Sequence, residues 1–327
     1  MRRSNFMAAA YKATAVFDDI KTLAPAMTEA RELAMRYARY DLPVLIEGEH
    51  GVGKRLFAEC IHNFSLRNDR SFVTVNCGAL SPEMQQKALL GRDERTDGRG
   101  AVTLAHTGTL LIENVNQLCP ICQYQLLMLL ESHCVPAPDG HAMLPMDVRL
   151  ICTSVRNLSD CVREGKFLET LYSRLSQLKL RVPSLTECPD DLPGLLDRFL
   201  EEFSTKYHKY VAPDNEARRL IYSFYWQGNI EQLRLFCEKL VIMADNKVIN
   251  ADFVRLQLPD TGSARAENAG EKEKPVVVVS VSEAADIIAA LRRFSGNRQA
   301  AAETLGMSKT TLWRKMKKYG IDDSSVI

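Results

Sequence analysis

No apolar run in these 327 residues approaches the roughly 20 residues that a membrane-crossing helix needs. A secretion signal is not expected either. Met1-Arg2-Arg3 is basic, but Lys12, Asp18 and Asp19 interrupt the residues after it and leave no sustained apolar core. The nine cysteines are odd in number and have no framework spacing, so reduced thiols and a cytoplasmic location are expected. Cys119-Pro120-Ile121-Cys122, followed by His133, Cys134 and His141, lacks the second paired knuckle that a four-ligand zinc site usually has. That stretch reads as a loop and a helix start, and no metal site is expected there. An excess of charge is lacking too, the whole chain standing at +1. Divided by region, however, Ser282 to Gly320 holds eight basic residues against three acidic ones, which leaves the rest of the chain mildly acidic. A small basic tail on such a body suggests a polyanion partner.

The clearest local motif is Gly48-Glu49-His50-Gly51-Val52-Gly53-Lys54-Arg55. It follows the apolar run Pro43-Val44-Leu45-Ile46, a buried strand, and precedes a helical pattern with Leu56, Phe57, Cys60, Ile61 and Phe64 on one face. A glycine-rich turn between strand and helix lets backbone N–H groups curl around a phosphate at the positive end of the helix. Lys54 matches the lysine that reaches the outer phosphates, whereas the hydroxyl residue that would ligate Mg²⁺ is replaced by Arg55. His50 is read either as a phosphate donor or as a solvent-facing side chain.

Further strands are expected at Phe72–Val75, Thr109–Ile112, Val148–Thr153 and Leu178–Leu180, with a helix over Gln123–Glu131. Alternating strands and helices predict an α/β fold, a parallel sheet covered on both faces, over 17–189 after a frayed leader at 1–16. From 190 to 258 the pattern is helical, at Leu192–Tyr210, Asn215–Tyr225 and Ile230–Asp245, with no strand between. Residues 259–280 read as a linker, polar and free of aromatics as far as Lys274. The β-prone run Val276–Val279 within it finds no place.

Residues 281–321 read as a small all-α domain. Ser282–Phe294, Asn297–Leu305 and Ser308–Tyr319 are helical, with Gly306-Met307 between the last two, which makes a helix-turn-helix. Ser308 is a natural N-cap. Leu312, Met316 and Tyr319 would pack inward, leaving Lys309, Thr310, Arg314 and Lys317 outward, with Thr311 and Lys315 beside them, as groups suited to bases and phosphates. Double-stranded DNA is the partner this implies. Arg292-Arg293 reads equally as a phosphate contact or a solvated pair.

Together these motifs resemble the sigma-54-dependent transcriptional activators, the bacterial enhancer-binding proteins, from about Phe17 to Tyr319. The carrying stretches are Ile46–Lys54, Ala58–His62, Val75–Leu80, Gly108–Leu111, Val148–Ile151, Leu171–Leu175 and Trp226–Asn229, and the tail from Gly296 to Lys315 is similar to a Fis-type helix-turn-helix. The resemblance implies an AAA+ ATPase with a parallel sheet, a helical lid and a DNA-binding domain. It also implies self-association as a ring or dimer, ATP as ligand, and RNA polymerase as partner. Members usually carry an N-terminal sensory domain, which is expected to be missing here or to lie on another polypeptide.

Measured against that family the site departs at several positions. The metal-organising Asp and water-activating Glu correspond to Glu113 and Asn114, and Asn114 cannot act as a carboxylate base. The sensor Asn corresponds to Val155, the first of two arginine fingers to Leu168, and the lid's sensing arginine to Glu231; Arg174 remains as the second finger. Asn76 keeps its identity but is expected to have lost its partner. After Leu89-Leu90-Gly91, the segment Arg92–Arg99 is shorter than the family's polymerase-contacting loop and has no aromatic tip. The expectation is a DNA-binding regulator whose AAA+ body binds nucleotide as a structural ligand, with hydrolysis impaired and Mg²⁺ left open. Two other readings stay open: an active ATPase that remodels sigma-54 polymerase, and a subunit that mixes into rings of an intact paralogue.

Overall fold

The computed structural model describes residues 9–91, 100–136 and 142–259, together with Arg298 and Leu312. The chain divides into two units, Met1–Pro259 and Asp260–Ile327.

The first unit is built on a six-stranded sheet. Its strands are β1 (Ala9–Tyr11), β2 (Val44–Glu47), β3 (Phe72–Asn76), β4 (Thr109–Glu113), β7 (Arg149–Ser154) and β8 (Leu178–Arg181). They lie in the order β1-β3-β4-β7-β2-β8, parallel except for β1, which pairs antiparallel with β3. The five parallel strands coincide with the five strands expected from sequence. Side chains alternate faces along a strand, and the core divides accordingly. Leu45, Leu110, Ile112, Leu150 and Cys152 face one apolar cluster, while Val44, Ile46, Leu111 and Ile151 face the other. Each face is covered, as a parallel sheet requires. On one side lie α1 (Pro25–Ala38) and α2 (Lys54–Asn63). On the other lie α3 (Pro82–Leu90), α4 (Ala101–Leu104), α5 (Pro120–Ser132), α6 (Leu158–Arg163) and α7 (Glu169–Leu175).

Three elements differ from the sequence expectation. The segment expected as a leader contributes β1, and from Tyr11 to Phe17 exposure alternates residue by residue, ending with Ala13 and Phe17 buried. The period-2 pattern there is short, and what stabilises it is the open edge of β3. A hairpin of β5 (Cys134–Pro136) and β6 (Met143–Pro145) follows α5. The flanking prolines made those strands invisible to pattern reading. Within the lid, a two-residue parallel pair, β9 (Ala212–Pro213) with β10 (Val248–Ile249), interrupts the helices where no strand was expected. Cys119 is the N-cap of α5 and Pro120 its first residue, the loop and helix start expected of that stretch.

Two buried polar groups hold the sheet to its helices. Arg149 donates to the carbonyls of Tyr37 and Ala38, so a cation meets the carboxyl end of α1, where the helix dipole favours it. His62 on α2 is 1% exposed, its Nδ1 lies 2.9 Å from Thr109 Oγ1, and its ring packs on Phe72. Burial, with Arg149 nearby, pulls its pKa from 6.5 down to about 4. Between those values the unfolded chain binds the extra proton, so His62 contributes stability that is complete above pH 6.5 and is lost as pH falls toward 4. The full difference is about 3 kcal/mol. His62→Gln, which keeps a partner for Thr109, is therefore expected to lose less melting temperature between pH 7.5 and pH 5 than the parent. Equal losses in the two proteins would remove this account.

The lid comprises α8 (Leu192–Tyr207), α9 (Asn215–Ser223), α10 (Asn229–Met243) and α11 (Ala251–Gln257). They bury their own cluster, in which Trp226 sits between Phe224 and Phe236 and donates its indole N–H to Ile221 O at 3.1 Å. No helix among the described residues is long and apolar enough to cross a membrane.

In the second unit the description covers Arg298 and Leu312, both helical, with Leu312 fully buried. That agrees with Leu312 packing inward. Ser308, Lys309, Thr310, Thr311, Arg314, Lys315 and Lys317 lie outside the described residues, as do Arg92–Arg99 and the run Val276–Val279.

Candidate nucleotide site

Every site element lies at the carboxyl edge of the parallel sheet, where such folds bind ligands. Register brings Asn76 opposite Glu113, and Glu47 opposite both Ser154 and Arg181. Glu47 itself is buried and is not free for ligand. It pairs with Lys179 at 2.9 Å and accepts from Leu158 N at 2.9 Å.

The turn after β2 takes left-handed backbone at Gly51 (φ 76°) and Gly53 (φ 94°), a geometry that favours glycine. Lys54 opens α2 and curls back over the turn, donating to Gly48 O at 2.8 Å and Glu49 O at 2.6 Å. Burial draws its pKa down from 10.5 to about 8, while Glu113, Glu49 and Glu231 oppose the change. The ammonium is thus partly desolvated and has three carboxylates within its field, a group poised to exchange carbonyl partners for phosphate oxygens.

Glu113, at the end of β4, is half-buried, and burial pushes its carboxyl above the ordinary value although Arg55 and Lys54 pull the other way. Asn114 follows in a left-handed conformation that asparagine tolerates (φ 56°). Its amide donates to Asn76 Oδ1 at 2.9 Å, and the same oxygen accepts from Gly78 N at 3.0 Å. Asn76 therefore bonds an amide in place of the carboxylate partner it was expected to have lost, and the contact forms through its oxygen because an asparagine carries donors where a carboxylate has none.

Val155 follows directly on β7, whose terminal Ser154 is fully buried and donates to Asn116 Oδ1 at 3.2 Å. Leu168 packs on the core beside α7. Arg174, on α7, is half-exposed and lies 3.4 Å from Glu131. The structure therefore does not bring it to the phosphate loop of its own chain.

The lid closes directly over the loop. Asn229 is fully buried and left-handed (φ 52°). It donates to His50 O at 2.8 Å and Glu49 Oε2 at 3.0 Å, and accepts from Leu185 N at 2.8 Å. Glu231 N donates to Gly51 O at 3.2 Å, and its carboxylate lies 3.8 Å from the exposed His50 ring. In the first turn of α10 a carboxylate also suits the helix dipole, which gives Glu231 a structural role at the place that corresponds to the family's sensing arginine.

Sequence reasoning quoted Asn229 only as part of a motif and missed Tyr11 altogether. Tyr11 on β1 donates its hydroxyl to Glu59 at 2.7 Å, and its ring lies 5.0 Å beneath the Arg55 guanidinium. The alternation from Tyr11 to Phe17 was the available signal. Among the described residues no group of three or more His, Cys, Asp or Glu side chains is arranged to hold a metal ion.

Comparison with known proteins matches this architecture along the chain. The sigma-54 interaction domain matches residues 20–181, the AAA+ ATPase lid domain 187–271, and the bacterial regulatory protein Fis family 279–319. The transcriptional regulatory protein ZraR of Salmonella typhimurium is 33% identical over 304 residues, covering 90% of this chain and 67% of ZraR. The regulatory protein AtoC of Escherichia coli is 30% identical over 318 residues, 94% of this chain and 69% of AtoC. Among solved structures, NtrX from Brucella abortus in complex with ATP is 28% identical with a TM-score of 0.68, covering 95% of this chain and 70% of NtrX. The chain belongs to the sigma-54 interaction domain family of transcriptional regulators, with an AAA+ body and a Fis-type helix-turn-helix.

Proposed function

We propose that this protein is a cytoplasmic, sequence-specific DNA-binding regulator whose AAA+ body holds a nucleotide without turning it over. The observation that carries the reading is Asn114, an amide bonded to Asn76 at the place where a carboxylate would have to activate water. Loss of that base costs on the order of 10²–10⁴ in rate. Val155, Leu168 and Glu231 support the same reading, since none of them can place a donor or a cation on a transferring phosphoryl group. The loop fits ATP or ADP: its left-handed glycines and Lys54 suit phosphates, and NtrX, which shares the fold, is described with ATP and with ADP. The nucleotide then stabilises the body as a ligand of the native state. Mg²⁺ fits less well, because Asn114 removes the second carboxylate from the end of β4, and Glu113 has the Arg55 and Lys54 cations in its field beside Glu59, which is itself paired with Arg55.

The C-terminal domain reads a palindromic site through Ser308–Lys318, and the body serves as the platform for a dimer or ring. The short, aromatic-free segment Arg92–Arg99 favours repression or conventional activation over remodelling of sigma-54 polymerase. Arg174 favours a second reading. Exposed and remote from its own loop, it is available to serve the site of an intact paralogue in a mixed ring.

One experiment separates these readings: nucleotide affinity and phosphate release measured on the same purified sample, at high protein concentration, with Mg²⁺ and DNA. The expected result is saturable ATP binding with no release above background. Release that depends on Lys54 and rises with protein concentration would establish the active ATPase instead. Turnover appearing only when a paralogue co-purifies would favour the mixed ring.

A further inference from the structure

The residue set around the phosphate loop disagrees with a divalent cation in a particular way, and the disagreement is informative. We infer that the Arg55 guanidinium takes the place of the metal ion, so that this chain binds its nucleoside di- or triphosphate in the metal-free form. The inference rests on the reading of Gly48–Arg55 as a nucleotide anchor and specifies how that anchor meets charge.

Position is the first argument. Arg55 is the second residue of α2, directly after Lys54, where the phosphate-loop pattern has a hydroxyl directed at Mg²⁺. A side chain at that place leaves the helix one residue after Lys54, in the first turn next to the loop.

The second argument is that Arg55 is held. Its Nε lies 3.3 Å from Glu59 Oε1, one helical turn on, and its guanidinium lies 5.0 Å from the centre of the Tyr11 ring. Tyr11 in turn donates to that same Glu59 oxygen at 2.7 Å. Tyrosine face and carboxylate thus fix the stem and one edge of the fork, while half of the side chain stays exposed. A planar guanidinium pre-organised in this way suits two phosphate oxygens at once, which a lysine cannot match. The edge strand β1 acquires a role through this contact, since Tyr11, opposite Phe72 in the register, reaches Arg55 and Glu59 on α2.

The third argument is charge. Burial works against the Arg55 cation, yet Tyr11, Glu113 and Glu59 outweigh it and hold the group above its ordinary pKa. Glu113, the remaining carboxylate at the end of β4, has both Arg55 and Lys54 in its field. A dication approaching Glu113 meets the Arg55 and Lys54 cations, while the other carboxylate in its field, Glu59, is already paired with Arg55 and accepts from Tyr11. A metal-free polyphosphate, carrying more negative charge than its magnesium complex, meets the same two cations favourably. Bound phosphates with no metal bridging them also agree with a site that lacks the base, so the two departures support each other.

The test is binding of ATP, and separately ADP, to the full chain by calorimetry, in Mg²⁺ and in EDTA. The parent protein is expected to bind within threefold as tightly in EDTA as in Mg²⁺, or more tightly. In Arg55→Ala, affinity in EDTA is expected to fall at least tenfold and to be partly restored by Mg²⁺. Arg55→Lys, which keeps the charge, is expected to remain metal-independent, and melting curves check that both variants fold. A parent protein that loses tenfold or more in EDTA overturns the inference while leaving the nucleotide anchor standing. The inference also falls if Arg55→Ala shows the parent's ratio between the two buffers. If the folded parent binds in neither buffer, the anchor reading fails and takes the inference with it. Should Arg55→Ala not fold, the parent's own ratio still decides.

Discussion

Replacing Lys309 and Arg314 together with Ala is expected to weaken binding to the preferred DNA duplex on the order of 100-fold. The preferred duplex is the one selected by the parent protein from a randomised pool. Arg314 lies two residues after Leu312, which is helical and fully buried. Residues two apart on a helix point to different faces, so the sequence reading that packs Leu312 inward expects Arg314 on the other side. An arginine reading a base edge is worth roughly 1–3 kcal/mol, and a lysine on a phosphate adds a smaller, sequence-independent amount. Their roles separate by salt. Lys309→Ala alone is expected to lower the slope of log affinity against log salt by about 1 and leave sequence preference intact, whereas Arg314→Ala should relax preference at one base pair. A double variant that shifts the duplex like the parent protein would sink the assignment of this helix as the recognition helix. The basic excess of the tail, which stands out only once the chain is divided by region, would then need another polyanion.

What was legible in the sequence reflects a physical divide between local and distant contacts. Four of the five parallel strands were readable because each is a short, mainly apolar run buried on both faces, whereas the edge strand β8 is only partly buried and was readable by its alternation of leucine with a charged residue. The phosphate loop was readable because strand, turn and helix are contiguous and each glycine answers a local backbone requirement. The lid helices were readable by period, although α8 stops at Tyr207, three residues short of expectation, with His208 turning left-handed at its end. What escaped was joined across the chain. Asn229 reaches Glu49 and His50 from about 180 positions away, and Tyr11 reaches Glu59 across 48. No periodicity reports such pairs, since they exist only once lid and edge strand have docked. Asn76 shows the same limit on a smaller scale. Its identity was read correctly, but its partner depends on how Asn114 leaves β4, and the left-handed turn that swings that amide onto it is not written in composition.

Gly51→Ala is expected to destabilise the AAA+ body by about 2–4 kcal/mol, combining a positive φ with overpacking against backbone. A Cβ at this position would stand 2.1 Å from the Gly228 carbonyl oxygen and 3.1 Å from Glu231 Cβ, where φ is already +76°. Neither obstacle is the free end of a side chain that can swing aside, so the lid must back away from the loop. Backing away breaks the hydrogen bond from Glu231 N to Gly51 O and pulls on Asn229, which would leave its own buried amide without His50 O. Orphaning a buried donor adds to the loss. In a body of this size the melting temperature should fall by roughly 5–10 °C. Gly194→Ala supplies the comparison. That glycine lies inside α8, a Cβ there meets nothing within 4 Å, and the substitution should leave the melting temperature unchanged or raise it slightly. Nucleotide affinity should follow the same split, lost with Gly51→Ala and retained with Gly194→Ala, because the loop's phosphate-binding shape and the lid's seat are one contact. Equal melting temperatures for the two variants would mean that the lid rides freely over the loop. The buried left-handed Asn229, joined to both sides of that contact, would then be structural decoration instead of the latch between them.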